Sequence, residues 1–137
     1  LSRKIVKDDF DQISELFQNM INDKNIDVII STGGTGLTGK DITPEVMETL
    51  FEKSIDGFGE MFRWLSFVKI GTSALQSRAL AGVTKGTYIF CLPGSPSACK
   101  DGWDDILVHQ LDIRHKPCNF VEIMPRLREH EISRTKS

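Results

Sequence analysis

Residues 26–36 read IDVIISTGGTG, a mostly apolar and β-branched run that ends in a glycine-rich loop. An apolar run without polar alternation is typical of a strand that is buried on both faces of a parallel sheet. Residues 87–92, TYIFCL, form a second run of this kind and lead into Pro93-Gly94-Ser95-Pro96. Two strands that each end in a glycine-containing loop therefore decide the predicted fold.

Helical patterns surround the two strands. Apolar residues recur at spacings of three and four between Phe10 and Ile21, after an aspartate that suits an N-cap. Thr43 is a predicted N-cap, Pro44 suits the first helical position, and Glu45 favours the positive end of the helix dipole. Further helices are predicted at residues 61–65, 72–81 and 97–111. Strands alternating with helices predict an α/β fold with a mostly parallel sheet.

The chain of 137 residues fits one domain. We assign this domain to residues 1–125 and expect residues 126–137 to form a polar, flexible tail. Two buried strands are too few for a parallel sheet of this class. We therefore expect at least one more strand to precede Leu1 in the complete fold.

The composition excludes several classes of protein. Hydrophobic residues make up 39% of the chain, charged residues 26%, and the net charge is −2, which is typical of a globular domain without the basic surface of a nucleic-acid-binding protein. The apolar runs are too short to span a membrane. The three cysteines, Cys91, Cys99 and Cys118, form no CxxC pair, so a disulfide framework is not expected and a cytoplasmic location is predicted.

The two glycine-containing loops are the predicted ligand site. Ligands of open α/β sheets gather outside the carboxyl ends of the strands. Gly33-Gly34-Thr35-Gly36 and Pro93-Gly94-Ser95 would bring backbone N–H groups close to a phosphate. Each loop taken alone can also be an ordinary tight turn. Their occurrence after both strands favours a phosphate-binding pocket.

Asp41 is the predicted metal ligand. Residues 34–40 come close to a P-loop, but a P-loop needs Ser or Thr at the position that Asp41 occupies. Mg²⁺ prefers one or two carboxylates together with phosphate and water oxygens, and Asp41 and Asp8 could supply them. The alternatives are a loop carboxylate bonded to nearby backbone for Asp41 and a helix cap for Asp8.

Three polar residues near the middle of the chain are weaker candidates. Ser73, Ser77 and Arg78 could contact phosphate or carbonyl groups, although polar residues on the surface of a helix are commoner. The nearby aromatic residues are expected in the core or at a subunit interface; they are Phe58, Phe62, Trp64 and Phe67.

Four short motifs make the chain recognisable: TGGTG at 32–36, DITPE at 41–45, GFGE at 57–60 and LPGSP at 92–96. In this order and spacing they resemble the MoaB/Mog family of molybdenum cofactor biosynthesis, over roughly residues 4–120. Five further stretches resemble the MoaB branch specifically; they lie at 62–67, 70–73, 75–79, 110–112 and 116–120.

The resemblance implies a three-layer α/β/α fold and a molybdopterin adenylyltransferase that uses Mg-ATP and releases pyrophosphate. It implies that Asp41 acts in catalysis and metal binding, and that Asp8 occupies the position of a second acidic residue. It also implies a homotrimer or homohexamer, and hand-over of the product to a molybdate-inserting MoeA-like protein. The residues implied to bind substrate are Gly33, Gly34, Thr35, Gly36, Thr43, Pro44, Glu45, Ser73, Ser77, Arg78, Pro93, Gly94 and Ser95.

Two other functions stay open at the level of sequence. The first is a binding protein of the same fold that holds molybdopterin or nucleotide without turnover. The second is a trimeric structural partner of another cofactor enzyme. A paired metal site at Asp41 and Asp8 would favour the enzyme, because a protein that only binds its ligand has no need of one.

Overall fold

The computed structural model describes residues 1–133, with side chains to Glu131, and centres on a four-stranded sheet. The strands are β1 (Val28–Thr32), β2 (Lys53–Ser54), β3 (Leu80–Thr84) and β4 (Thr87–Leu92), in the spatial order β1-β4-β3-β2. The pair β1–β4 is parallel, whereas β3–β4 and β2–β3 are antiparallel. The α/β prediction is confirmed, and its parallel part is confirmed for one of the three strand pairs in the described residues.

The helical elements, in chain order, are α1 (Phe10–Ile21), α2 (Thr43–Leu50), α3 (Asp56–Ile70), a 3₁₀ helix (Gly71–Gln76), α4 (Pro96–Gly102), a π-helical turn (Trp103–Leu107), α5 (Val108–Gln110), α6 (Phe120–Ile123), a second 3₁₀ helix (Met124–Arg126) and α7 (Glu129–Ser133). The predicted α1 is confirmed, and the Asp9 side chain caps it by accepting from the N–H of Gln12.

The helices cover both faces of the sheet, so the fold has three layers. β4 is buried along its whole length, and its side chains alternate between two cores. Tyr88, Phe90 and Leu92 pack with α3, the π-helical turn and α6. Ile89 and Cys91 pack with α1 and α2 on the opposite face. The β4 prediction is therefore confirmed in both its bounds and its burial.

The predicted helix at 72–81 is wrong. The chain instead forms the 3₁₀ helix Gly71–Gln76 and then enters β3. β3 and β4 are joined by Lys85 and Gly86, whose φ angles are +48° and +81°, as a tight two-residue hairpin turn requires. This hairpin makes β3 antiparallel to β4 and explains why the sheet is mixed.

Two local predictions near β1 and α2 also need correction. Ile30 of β1 is 43% exposed because β1 lies at the edge of the sheet and pairs only with β4 among the described strands. The strand is therefore not buried on both faces. Thr43 is the first residue of α2 and not its cap, since Ile42 precedes it at the cap position without a capping side chain.

The two ends of the described chain differ in secondary structure. Residues 1–7 have no regular secondary structure, although Val6 packs against the core beneath α1. Part of the predicted tail forms α7, beside ion pairs Arg126–Glu129 and Arg128–Glu131, and residues 134–137 lie outside the described part. The domain boundary and the preceding strand stay predictions. No helix within residues 1–133 is long and apolar enough to cross a membrane.

Candidate functional site

The two glycine-containing loops meet at one edge of the sheet. β1 and β4 are adjacent and parallel, so their carboxyl ends lie side by side. The N–H of Gly33 donates to the carbonyl of Leu92 at 2.9 Å. A Cβ atom added at Gly94 would lie 3.5 Å from the Cα of Gly33. The sheet therefore brings the two loops together at a position where α/β proteins bind ligands.

A cavity of about 460 Å³ opens beside these loops. Its volume lies within the range of small-molecule sites. Ten of the predicted site residues line it: Gly33, Gly34, Thr35, Gly36, Asp41, Ser73, Ser77, Pro93, Gly94 and Ser95. Sequence reasoning missed six more lining residues, which are Phe62, Ser66, Ile70, Ala74, Gln76 and Ala98.

Part of the missed wall had a readable signal. Phe62, Ser66 and Ile70 follow one another at intervals of four residues on α3, so they share one face of that helix. The aromatic content of α3 indicated packing, but it did not indicate that this face ends at a cavity. Gln76 lies at the end of the 3₁₀ helix, where a regular helix was wrongly predicted.

The glycine loop is held tightly against the start of α2. Gly34 has a φ of +73°, and a Cβ there would lie 2.3 Å from the Thr43 hydroxyl oxygen, so this position requires glycine. The Thr43 hydroxyl donates to the carbonyl of Gly33 at 3.2 Å, and the Thr43 N–H donates to the carbonyl of Gly34 at 3.1 Å. Thr43 thus supports the loop from behind and does not line the cavity.

Among the described residues that line the cavity, Asp41 has the one ionisable side chain. Its Oδ2 accepts from the N–H of Thr38 at 3.0 Å and from the Thr38 hydroxyl at 2.8 Å. A Cβ added at Gly36 would lie 2.6 Å from the same oxygen. Asp41 is therefore a loop carboxylate bonded to nearby backbone, as one alternative predicted, and it also reaches the cavity.

The carboxylate of Asp41 fits a magnesium ion that arrives with phosphate. Oδ1 has no hydrogen-bond partner within residues 1–133 and can serve as a ligand. No group of three His, Cys, Asp or Glu side chains in the described chain forms a metal cage. Mg²⁺ commonly binds through one or two carboxylates and completes its shell with water and phosphate oxygens. Asp41 alone fits that mode.

Several other predicted residues lie outside the cavity wall. Asp8 is exposed just before α1 and does not line the cavity. Pro44 is buried in the first turn of α2. Glu45 and Arg78 form an ion pair at 2.8 Å. The predicted contacts of these residues with ligand or metal stay predictions.

A cysteine lies behind the second loop. The Cys99 thiol donates to the carbonyl of Pro93 at 3.1 Å, and burial raises the pKa of this thiol above its ordinary value. A thiol with a raised pKa stays protonated at neutral pH and is a poor nucleophile. Cys99 therefore supports the loop and is not suited to covalent catalysis.

Comparisons with known proteins agree on one family. Residues 1–113 match the family model described as "Probable molybdopterin binding domain". Molybdenum cofactor biosynthesis protein B of Escherichia coli K12 is 48% identical over 120 residues, which cover 88% of this chain and 71% of that protein. A crystal structure of a molybdenum cofactor biosynthesis protein B superimposes with a TM-score of 0.81 at 33% identity, covering 93% of this chain and 74% of the other. The tungsten cofactor synthesizing protein MoaB of Pyrococcus furiosus superimposes with a TM-score of 0.69 at 39% identity, covering 77% and 68%.

Proposed function

Because this chain belongs to the MoaB/Mog family of molybdenum cofactor biosynthesis proteins, we propose that it transfers the adenylyl group of Mg-ATP to molybdopterin. An oxygen of the terminal phosphate of molybdopterin attacks the α-phosphorus of ATP, and the bond from that phosphorus to pyrophosphate breaks. The products are adenylyl-molybdopterin and pyrophosphate. The observation that carries the proposal is the cavity in which both glycine-containing loops meet beside Asp41.

The cavity wall supplies what this reaction needs from a protein. A phosphate monoester has a second pKa near 6, so the attacking group is already ionised at neutral pH and needs no strong base. Backbone N–H groups of the two loops and the hydroxyls of Ser73, Ser77 and Ser95 can orient the phosphates. Positioning and charge stabilisation carry most of the catalysis in such transfers. Mg²⁺, held by Asp41, would neutralise charge on the phosphates.

The remaining wall supports a ring-bearing second substrate. Phe62, Ile70 and Ala74 give the cavity an apolar side, and Ser66 and Gln76 add hydrogen-bonding groups beside it. Sites for cofactors commonly combine an apolar surface with a few polar groups that fix orientation. This combination suits a pterin, whose ring has flat faces and a polar edge.

The proposal is tested by measuring AMP transfer from ATP to molybdopterin with Mg²⁺ present. Asp41→Asn keeps the shape of the side chain and removes its charge, and we expect it to lower the rate by at least about a hundredfold. Asp104→Asn is the matched control, since Asp104 is exposed in the π-helical turn. Pyrophosphate release by the control and not by Asp41→Asn would support the enzyme.

One observation favours the alternative of a binding protein without turnover. Within residues 1–131, Asp41 is the single carboxylate on the cavity wall, and Asp8, the proposed second one, does not line it. The enzymatic proposal is wrong if the wild-type protein binds molybdopterin tightly but releases no pyrophosphate, and if the Asp41→Asn variant binds molybdopterin with the same affinity. The protein would then hold the pterin for another enzyme.

We also propose that the protein self-associates through the outer face of α3. Four large apolar side chains of α3 that do not line the cavity are more than half exposed: Met61, Trp64, Phe67 and Val68. A contiguous set of large exposed apolar side chains on one helix marks a surface for contact with another protein. A trimer or hexamer, and hand-over to a molybdate-inserting partner, extend this proposal.

A further inference from the structure

One arginine outside the cavity is bonded to the loop that forms its wall. Arg78 donates from Nε to the carbonyl of Gly36 at 2.8 Å and from Nη2 to the carbonyl of Asp41 at 2.9 Å. Its Nη1 donates to both carboxylate oxygens of Glu45 at 2.8 and 2.9 Å. The backbone N–H of Arg78 donates to the carbonyl of Thr35 at 2.8 Å. Both ends of the segment 35–41 are thus tied to one residue and to the first turn of α2.

The chemistry of these contacts requires a guanidinium. Its donors lie in one plane at fixed angles, so a single group can bond several acceptors that are held in matching positions. A lysine ammonium in the same place is a point charge and cannot reproduce the fork. Residues 33–42 have no regular secondary structure between β1 and α2. The loop therefore depends on contacts of this kind for its conformation.

A second arginine fixes the segment from which Arg78 reaches the loop. Arg63 of α3 donates from Nη1 to the carbonyl of Ala79 at 2.9 Å and to that of Ser77 at 3.5 Å. A Cβ added at Gly59 would lie 2.6 Å from the same Ala79 carbonyl, so α3 approaches this segment closely. Arg78 is therefore anchored on both sides and can act as a rigid support.

We propose that Arg78 is a positioning residue that holds the glycine loop and Asp41 in the conformation that receives phosphate and metal. Its side chain is absent from the cavity wall, so the role proposed here is exerted through Asp41 and the loop. The kinetic consequence of this inference rests on the proposed adenylyl transfer. Its structural consequence does not.

The structural consequence is tested by amide hydrogen exchange in the purified protein. Arg78→Lys keeps the charge and loses the planar set of donors. We expect the amides of Thr38 and Asp41, which each donate within the loop at 3.0 Å, to exchange at least about tenfold faster. The amides of β4 should keep their protection and report that the fold is intact. Arg126→Lys is the matched control, because Arg126 lies in the second 3₁₀ helix and pairs with Glu129 at 3.0 Å at the protein surface. In this control variant, the loop amides should exchange at the same rate as in the wild-type protein.

The kinetic consequence separates positioning from a merely structural role. In Arg78→Lys we expect kcat for AMP transfer to fall at least about tenfold and the Mg²⁺ concentration for half-maximal rate to rise by a similar factor, with KM for ATP nearly unchanged. If Arg78 served only the stability of the fold, its substitution would reduce the amount of active protein and leave the Mg²⁺ dependence of the rate unchanged. Glu45→Gln, which weakens one arm of the fork, should show smaller changes in the same direction.

Two results would overturn the inference. The first is unchanged exchange of the Thr38 and Asp41 amides in Arg78→Lys, whatever the activity. The second is faster exchange with an unaltered Mg²⁺ dependence in an active protein. If wild-type protein transfers no AMP, the proposed function is wrong, and the exchange measurement alone still supports or overturns the support of the loop by Arg78. If Arg78→Lys does not fold, the same two measurements on Glu45→Gln decide.

Discussion

The hydroxyl and the backbone N–H of Thr38 both donate to the same oxygen of Asp41, at 2.8 and 3.0 Å. The pair orients the carboxylate and leaves Oδ1 without a partner in the described chain. A carboxylate held in this way is prepared to bind a cation without first giving up a hydrogen bond. The contact therefore links the conformation of an exposed loop to the chemistry that we propose for the cavity.

Thr38→Val removes the hydroxyl donor and keeps the backbone donor. We expect AMP transfer to fall about three- to tenfold, because about 1 kcal/mol of orientation is lost. The unfolding temperature should stay within about 1–2 °C of wild type, since Thr38 is exposed. Steady-state kinetics measures the rate of AMP transfer, and thermal unfolding measures the stability. Thr49→Val, on the exposed side of α2, is the control for both measurements. A wild-type rate in Thr38→Val would contradict the role of this contact.

Gly36 is the position where a methyl group would displace Asp41 directly. A Cβ there would lie 2.6 Å from Oδ2 of Asp41, whereas a Cβ at Gly39 in the same loop meets nothing within 4 Å. We expect Gly36→Ala to lower kcat/KM at least about tenfold and Gly39→Ala to leave it within about twofold. Parallel kinetics of the two variants make the comparison. Equal effects would show that the loop tolerates displacement of the carboxylate.

The apolar face of α3 gives a prediction about assembly. Trp64 is 65% exposed, and we expect Trp64→Glu to shift the protein towards the 15.4 kDa monomer, because a buried charge without a partner strongly disfavours an interface. Sedimentation velocity of wild type and variant measures this shift. Ile113→Glu is the control, since Ile113 is exposed in the loop between α5 and α6. A monomeric wild type would refute self-association through this face.

Burial of Cys91 predicts a loss of stability in alkali. Burial raises the pKa of the Cys91 thiol from 9.0 to about 12, so the native state keeps a proton that the unfolded chain releases. The contribution of this buried, protonated thiol to the free energy of unfolding is fully present below pH 9. It falls as pH rises from 9 towards 12. Burial also raises the pKa of Tyr88, from 10.0 to about 12, which adds to the effect.

Substitution of Cys91 distinguishes its contribution to the alkaline loss of stability from that of Tyr88. We expect Cys91→Ala to reduce the slope of unfolding free energy above pH 9 by up to about 1.4 kcal/mol per pH unit. Urea unfolding in reducing buffer between pH 7 and 10.5 measures the slope. Cys118→Ala, at an exposed cysteine, should leave it as in wild type. A slope that is the same in both variants would exclude Cys91 as its source.

Local sequence was sufficient for the elements whose signal is local. The apolar spacing of α1 and the capping aspartate predicted that helix, and the unbroken apolar run of β4 predicted its bounds and its burial on both faces. The segment 72–81 misled because its apolar residues fit a helix as well as a 3₁₀ turn followed by a strand. Its conformation is decided by pairing of β3 with β4, a contact between residues that the local pattern does not connect.

The candidate site also combines features that local sequence predicts with features that depend on tertiary contacts. The sequence by itself determined the two glycine loops, the carboxylate of Asp41 between them, and the family to which the chain belongs, because glycine geometry and motif order are properties of the chain. Only the tertiary structure decided that α3 supplies a wall of the cavity and that the Arg78 side chain donates to the loop carbonyls and to Glu45. A guanidinium is directed by the acceptors that surround it, and those acceptors come from residues about 33 to 42 positions away, which no local spacing brings together.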